Sequence, residues 1–241
     1  MAALEGYIFG PIVFPLFAAF HLGLAMIALG AWSATPVAAL CLALVEFITF
    51  FDNAVVGLGN RLGIGDLCRR LNRMRFFLHA LFIAGLIPVY AGIGRLAGVT
   101  AFDSGLFSGV VAMLTVGIVL VGYFVGYRPL QHIMPADYYG CLRYAQTVND
   151  VSRRAGYDYS QAELEQKAFP PLASILTVLI GLVLSLWIGI AAGFWIPAVV
   201  TALMLLAGSF PSNALGALLT SSLEIVYSGG MVYSLVSLAG S

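Results

Sequence analysis

Long apolar runs dominate the chain and alternate with short polar segments. A membrane-spanning helix needs about 20 mostly apolar residues. Runs that suit this length lie at 12–32, 36–59, 76–94, 106–127, 169–191, 194–210 and 214–238. Residues 169–210 carry no charge, and we divide them at Gly193 because Gly193 to Pro197 can form a turn. The pattern therefore predicts an all-α, polytopic membrane protein, a seven-transmembrane-helix bundle that forms a single membrane domain over 1–241.

The composition agrees with this class. Hydrophobic residues occupy 61% of the 241 positions and charged residues 9%, whereas a soluble domain is roughly half apolar and a quarter charged. Eleven basic residues balance eleven acidic ones, so we expect no nucleic-acid partner. Cys41, Cys68 and Cys141 are far apart, which predicts neither a disulfide framework nor a thiolate metal site. No basic residue precedes the first apolar run, so we expect no cleavable signal.

The basic residues are distributed unevenly between the loops. One segment, after the second span, holds Arg61, Arg69, Arg70, Arg73 and Arg75, and another, after the fourth span, holds Arg128, Arg143, Arg153, Arg154 and Lys167. The positive-inside rule places both segments in the cytoplasm. We therefore expect a protein of the bacterial inner membrane with a cytoplasmic N-terminus, in contact with membrane lipids. Phosphate binding by the first segment is an alternative to this topological interpretation.

The loop at 128–168 has the composition of a soluble segment. From Asp137 onward its apolar residues recur at helical spacing, which predicts an amphipathic helix on the membrane surface. The positions on this face are Tyr138, Leu142, Ala145 and Val148. Ser160 and Glu163 have the spacing of a helix-capping box. We interpret the loop as a cytoplasmic cover.

Ionisable side chains inside the predicted spans must be paired, hydrated or neutral, and each is a functional candidate. They are His21, Glu46, Asp52, His79 and Glu224. With a rise of 1.5 Å per residue, His21, Glu46 and Glu224 lie about 14–20 Å from the cytoplasmic ends of their helices, near the midplane. Asp52 and His79 lie about 5–10 Å from that side. We expect Asp52 to pair with Arg61 or His79, or to face the substrate.

Polar residues accompany both midplane acids at helical spacing, which predicts that their stripes face inward. The expected cavity contains Glu46, Glu224 and His21. Further residues expected to line it are Phe17, Thr49, Asp52, Asn53, Ser221 and Tyr227. A metal held by His21 and the two acids is the less favoured alternative, so we predict no metal and no cofactor. A further alternative is that both acids are protonated and only hold helices together, which is a common role of polar groups in membranes.

This layout resembles the transmembrane terpene cyclases of meroterpenoid pathways, compact seven-helix proteins of similar length with proposed catalytic acids on helices 2 and 7. Glu46 and Glu224 occupy those places. The resemblance covers the architecture and the two acids; the residue before the helix 2 acid, a Trp in that family, is Val45 here. The segments FFDNAVVGLG, RLNRMRFFLHALF and LEIVYSGG also resemble an uncharacterised membrane family of bacteria and plastids, which implies no activity.

The resemblance and the buried acids together favour an enzyme that cyclises a lipophilic, isoprenoid-type small molecule by proton transfer. Glu46 or Glu224 would act as general acid, and the other carboxyl or His21 would remove a proton at the end. Two alternatives remain open. A proton-coupled transporter or channel would use the same acids as relay stations, and a non-catalytic scaffold would have no pocket. The sequence does not identify a protein partner.

Overall fold

Helices form most of the molecule. The computed structural model describes residues 9–130, 132–149, 152–208 and 214–240, with the backbone alone for 214–219. The elements are α1 (Gly10–Ala28), α2 (Pro36–Leu62), α3 (Asp66–Phe82), α4 (Leu86–Leu96), α5 (Gly105–Val121), β1 (Met134–Tyr138), β2 (Cys141–Ala145), α6 (Gln161–Glu165), α7 (Leu172–Ala192), α8 (Ile196–Gly208) and α9 (Ala214–Ala239). The expectation about a signal at residues 1–8 and the predicted end of the sixth span at 210 lie outside the described residues.

Six helical segments are long and apolar enough to cross a membrane. They are Gly10–Ala31, Pro36–Leu62, Asp66–Leu96, Gly105–Tyr127, Leu172–Ala192 and Thr220–Ala239. The prediction of a helical protein with membrane-spanning segments is confirmed at this level. Helix α8 has 13 residues, fewer than the roughly 20 that a span needs, so the count of seven spans stays a prediction.

The third segment begins earlier than the sequence pattern predicts, at Asp66 rather than at residue 76. The first turns of α3 are amphipathic: they bury Cys68, Asn72 and Arg75 and turn other charged side chains outward. Hydropathy detects only the apolar half of such a helix. A 3₁₀ turn at Ile83–Gly85 then connects α3 to α4.

Residues 134–145 form a β-hairpin, so the prediction of an amphipathic surface helix from Asp137 is wrong. Strands β1 and β2 pair in antiparallel register, with Tyr138 opposite Cys141. Between them, Tyr139 (φ 53°) and Gly140 (φ 80°) both have positive φ, as in the type I′ turns that join two-residue hairpins. The Asp137 carboxylate accepts a hydrogen bond from the Gly140 N–H at 2.9 Å. Turn chemistry and strand pairing thus override the helical spacing of the apolar residues.

The hairpin closes one end of the helix bundle. The side-chain amide of Asn60 on α2 donates to the Gly140 carbonyl and accepts from the Leu142 N–H at 3.0 Å. The Gly10 N–H at the start of α1 donates to the Tyr139 carbonyl. Gly59 permits the close contact with α2, since a Cβ there would overlap the Leu142 carbonyl oxygen. This end, which we call the hairpin end, therefore carries the N-terminus of α1 and the C-terminus of α2.

The remainder of the polar segment wraps around the same end. Ser160 and Glu163 form the expected capping box at α6: the Ser160 side chain accepts from the Glu163 N–H, and the Glu163 carboxylate accepts from the Ser160 N–H. Gln166 donates to the Gln146 carbonyl at 2.8 Å. The chain then enters α7 through Phe169, Pro170 and Pro171. These contacts bring the start of α7 beside α2 and α3.

Candidate functional site

His21 on α1 and Glu46 on α2 contact each other inside the bundle. His21 Nδ1 lies 2.6 Å from Glu46 Oε2, and each side chain is 1% exposed. The other ring nitrogen, Nε2, is buried and has no hydrogen-bond partner among the described residues. His21 and Glu46 are thus close together, as the sequence suggested, and they form a buried pair.

A cavity of about 280 Å³ lies between α2, α3, the start of α7 and α9. Its polar lining includes Thr49, Asp52, Arg75, His79, Ser174 and Glu224. Most other lining groups are apolar or glycine, among them Phe76, Ala80, Gly122, Phe169 and Leu172. The cavity therefore combines an apolar wall with a few ionisable groups, which is typical of small-molecule sites.

A π-helical turn, Gly122–Tyr127, forms one side of this cavity at the end of α5. π-turns are rare and frequently occur at functional sites. Gly122 fits closely against α3, because a Cβ at this position would overlap the Ala80 carbonyl oxygen. The irregular backbone is thus held at the cavity by packing against α3.

Glu224 borders the cavity, whereas Glu46 and His21 are not among its lining residues. His21, Asp52, Glu46 and Arg75 all lie close enough to Glu224 for electrostatic interaction. The structure therefore does not place Glu46 and Glu224 together in this cavity, as the sequence suggested. Glu224 faces the cavity, and Glu46 lies behind it in the pair with His21, because α1 covers that face of α2.

Asp52 pairs with Arg75, not with Arg61 or His79 as the sequence suggested. Arg75 Nε and Nη2 donate to the two carboxylate oxygens of Asp52 at 2.5 and 3.0 Å, and Arg75 Nη1 donates to Asn72 Oδ1 at 2.7 Å. This two-pronged geometry is typical of guanidinium–carboxylate pairs. The early start of α3 explains the difference, because it places Arg75 within the helix and opposite α2.

Arg143 on β2 adds a second cation near this pair. Its guanidinium carbon lies 3.6 Å from the centre of the Tyr138 ring, a cation–π contact. Burial, with a smaller effect from the positive charge of Arg75, lowers the pKa of Arg143 below its usual range. The buried Nε of Arg143 has no hydrogen-bond partner among the described residues. Asp52 thus lies within electrostatic range of two cations, Arg75 and Arg143.

His79 on α3 contacts Ser174 on α7 at the cavity wall. His79 Nε2 lies 3.0 Å from Ser174 Oγ, and both residues line the cavity. The sequence analysis identified His79 but missed Ser174. A serine in the first turn of an apolar span has no sequence signal, because its partner is 95 residues away.

Several residues predicted to line the pocket have other contacts. Phe17 packs edge-on against Phe14 with 6.3 Å between ring centres, in the cluster under the hairpin. Asn53 donates to the Thr49 carbonyl within α2 at 2.9 Å. Ser221 is partly buried and, like Phe17 and Asn53, is not among the described lining residues. Thr49 and Asp52, also predicted to line the pocket, border the cavity.

Tyr227 is also displaced from the predicted lining and belongs to a buried hydroxyl chain. Thr201 Oγ1 donates to the Pro197 carbonyl at 2.6 Å. Tyr90 OH lies 2.7 Å from Thr201 Oγ1 and 2.9 Å from Tyr227 OH. Since each hydroxyl has one hydrogen to donate, the chain runs from Tyr227 through Tyr90 to Thr201. It connects α4, α8 and α9 and has a structural role.

A second cavity of about 500 Å³ lies at the opposite end of the bundle, between α2, α4 and α5. Its one charged lining residue, within the described part of the chain, is Arg95, which pairs with Asp103 at 3.3 Å. Between the two cavities, Leu42, Ala84 and Ile87 are fully buried. These three residues lie along the chain between the lining residues of the two cavities on α2 and on α3–α4.

Among the described residues, no group of three His, Cys, Asp or Glu side chains has the arrangement needed to hold a metal ion. No protein-family model matches the chain, and no curated protein or solved structure is significantly similar to it.

Proposed function

We propose that the protein is an integral membrane enzyme that cyclises a lipophilic, isoprenoid-type substrate, with Glu224 as the proton donor. The observation that carries the proposal is the position of the Glu224 side chain, on the wall of a mostly apolar cavity among helices long enough to span a membrane. An apolar site favours the neutral form of a carboxyl, and a neutral carboxyl can donate a proton. Glu224 would protonate an alkene or an epoxide of the bound substrate.

The cavity has groups suited to the later steps of such a reaction. A carbocation formed by protonation is stabilised by aromatic faces, and Phe76, Phe169 and Tyr127 line the cavity. A base must remove a proton from the final cation. His79 lines the same cavity and replaces His21 in this role, because His21 is enclosed in its pair with Glu46.

The orientation in the membrane is part of the proposal. The hairpin end contains the basic segments, including Arg61 at the end of α2 and Arg153 beyond the hairpin. By the positive-inside rule this end faces the cytoplasm. The N-terminus would then be cytoplasmic, and the substrate would enter from the cytoplasmic half of the bilayer of a bacterial inner membrane.

A proton-coupled transporter is the second candidate, and one observation favours it. Glu224 lies within electrostatic range of both Asp52 and the buried His21–Glu46 pair, so ionisable groups extend from the cavity into the bundle. A transporter also needs access from both surfaces. The full burial of Leu42, Ala84 and Ile87, which lie along the chain between the lining residues of the two cavities, favours the enzyme.

Product formation by the purified protein in lipid vesicles tests the proposal. Candidate substrates are prenylated phenols and their terminal epoxides. Cyclisation is an isomerisation, so the expected product has unchanged mass and a different chromatographic retention. If the enzyme protonates an alkene, the product formed in D₂O carries one additional deuterium. Proton-driven solute flux in vesicles, with no isomer formed, would support the transporter instead.

A further inference from the structure

The cavity that Glu224 borders also carries a hydrogen-bonded serine and histidine that the proposed cyclisation does not use as a pair. Ser174 Oγ lies 3.0 Å from His79 Nε2, within the range of a nucleophile and its general base. We propose that Ser174 and His79 form a nucleophile–base pair that transfers an acyl group from a lipophilic ester. This activity is independent of Glu224 and goes beyond the proposed function.

The backbone at Ser174 supplies donors for the negative charge that forms during acyl transfer. Ser174 is the third residue of α7, a helix of 21 residues. The first N–H groups of a helix have no acceptor within it. The N–H of Leu172 donates to Pro170 and that of Ile175 to Pro171. The N–H groups of Ala173 and Ser174 have no backbone acceptor in the described part of the chain, which leaves them free for an oxyanion.

Charges beside His79 also suit this role. Asp52 and Arg75 both lie within electrostatic range of His79. Because Arg75 is bound to Asp52 through two hydrogen bonds, the two side chains also hold each other in place next to His79. Asp52 is therefore a positioning residue and not a member of the pair.

The reaction follows from these positions. Ser174 Oγ attacks the ester carbonyl carbon while its proton passes to His79 Nε2, and the N–H groups at the start of α7 donate hydrogen bonds to the oxyanion. The bond from carbon to the leaving oxygen then breaks, and His79 returns the proton to the departing alcohol. Water attacks the acyl-serine and gives its proton to His79. Collapse releases the carboxylic acid and restores the Ser174 hydroxyl.

The lining of the cavity defines the class of ester. Phe76, Phe169, Pro170 and Leu172 form an apolar wall beside Ser174. A volume of about 280 Å³ is at the lower end of small-molecule pockets, which begin near roughly 300 Å³. The site therefore fits the carbonyl end of a fatty-acyl chain better than a bulky polar ester.

An alkyl fluorophosphonate, which phosphonylates activated serines, tests the pair in the full-length protein in lipid nanodiscs. We expect one adduct, located at Ser174 by peptide mass spectrometry, and none in Ser174→Ala. Ser185→Ala is the matched control, because Ser185 lies on the same helix but is buried and donates to the Leu182 carbonyl; it should be labelled at the wild-type rate. His79→Gln should be labelled at least a hundred-fold more slowly, the typical contribution of a general base.

A second variant separates loss of the base from loss of the fold. In Ser174→Cys, alkylation of the new thiol by iodoacetamide should be faster when His79 is present than in the double variant with His79→Gln. Hydrolysis of a medium-chain p-nitrophenyl ester should disappear in Ser174→Ala and persist in Ser185→Ala. An unlabelled wild type, an adduct at another serine, or equal labelling with and without His79 would overturn the proposal.

Discussion

The imidazole of His21 lies against the carboxyl of Glu46, with 2.6 Å between Nδ1 and Oε2 and both side chains 1% exposed. Removing one partner of such a buried pair strongly destabilises a protein, because the other partner stays buried without a compensating contact. It joins α1 to α2 directly behind the cavity. The pair also lies within electrostatic range of Glu224.

Replacement of His21 by alanine should lower the free energy of unfolding by about 3–5 kcal/mol, since Glu46 would be buried without its partner. The double variant His21→Leu with Glu46→Leu should recover most of this loss, because apolar residues of similar volume often replace a buried pair without cost. Thermal unfolding in detergent micelles measures both. Equal destabilisation by the single and double variants would contradict a role through pairing.

Asp52→Asn should lower the free energy of unfolding by roughly 3 kcal/mol, the lower end for buried pairs. The variant would leave the guanidinium of Arg75 without its counter-charge, and this side chain is only 8% exposed. Asp52 itself is 35% exposed. Asp66→Asn is the matched control. Its pair with Arg69 is exposed on both sides, so the loss should be below about 1 kcal/mol. Similar effects in the two variants would show that burial of Arg75 does not matter.

Gly59→Ala should detach the hairpin from α2, because the added Cβ would overlap the Leu142 carbonyl oxygen. Overpacking of this kind costs about 1–3 kcal/mol. We expect a lower melting temperature and faster proteolysis between residues 134 and 145. The control is Gly117→Ala on α5, where nothing lies within 4 Å of the added atom. Unchanged proteolysis in Gly59→Ala would contradict the described hairpin contact.

Cys141 provides a pH-dependent test of the hairpin. Its side chain is 0% exposed, and burial, with a smaller effect from Asp137, raises its pKa from 9.0 to about 11. Folding thus favours the neutral thiol. The stability that this contributes is complete below pH 9 and is lost as the pH rises from 9 through about 11.

We therefore expect alkylation of Cys141 by iodoacetamide to be slow near neutral pH in the folded protein, because the thiolate is the reactive form. The rate should rise with pH up to about 11. Near neutral pH, the rate should be higher in Gly59→Ala than in the wild type. Peptide mass spectrometry separates this site from Cys41 and Cys68. Fast alkylation of the wild type near neutral pH would show that Cys141 is not enclosed.

The membrane-spanning helices follow from the sequence because their signal is local. A run of about 20 apolar residues specifies a span whatever its neighbours, and the capping residues Ser160 and Glu163 act within one turn. The hairpin was missed for a physical reason. Tyr138, Leu142 and Ala145 have helical spacing, but Tyr139 and Gly140 adopt positive φ, and the strands pair with each other and with the bundle end.

The candidate site was predictable as a set of residue types, but not as a geometry. A buried acid or histidine stands out in an apolar run, which identified His21, Glu46, Asp52, His79 and Glu224. Which of them meet depends on the rotation of neighbouring helices, and this is set by packing between distant segments. Arg75 and Ser174 were missed because one lay in an assumed loop and the other is an ordinary serine.

The central claim is that Glu224 donates a proton to a substrate in the cavity, and turnover of Glu224→Gln tests it most directly. Glutamine keeps the shape of the side chain and its hydrogen bonding but has no transferable proton. We predict a loss of about a hundred-fold to ten-thousand-fold in isomer formation, with an unchanged melting temperature and with full activity in the exposed control Glu165→Gln. Wild-type turnover in folded Glu224→Gln would contradict the account.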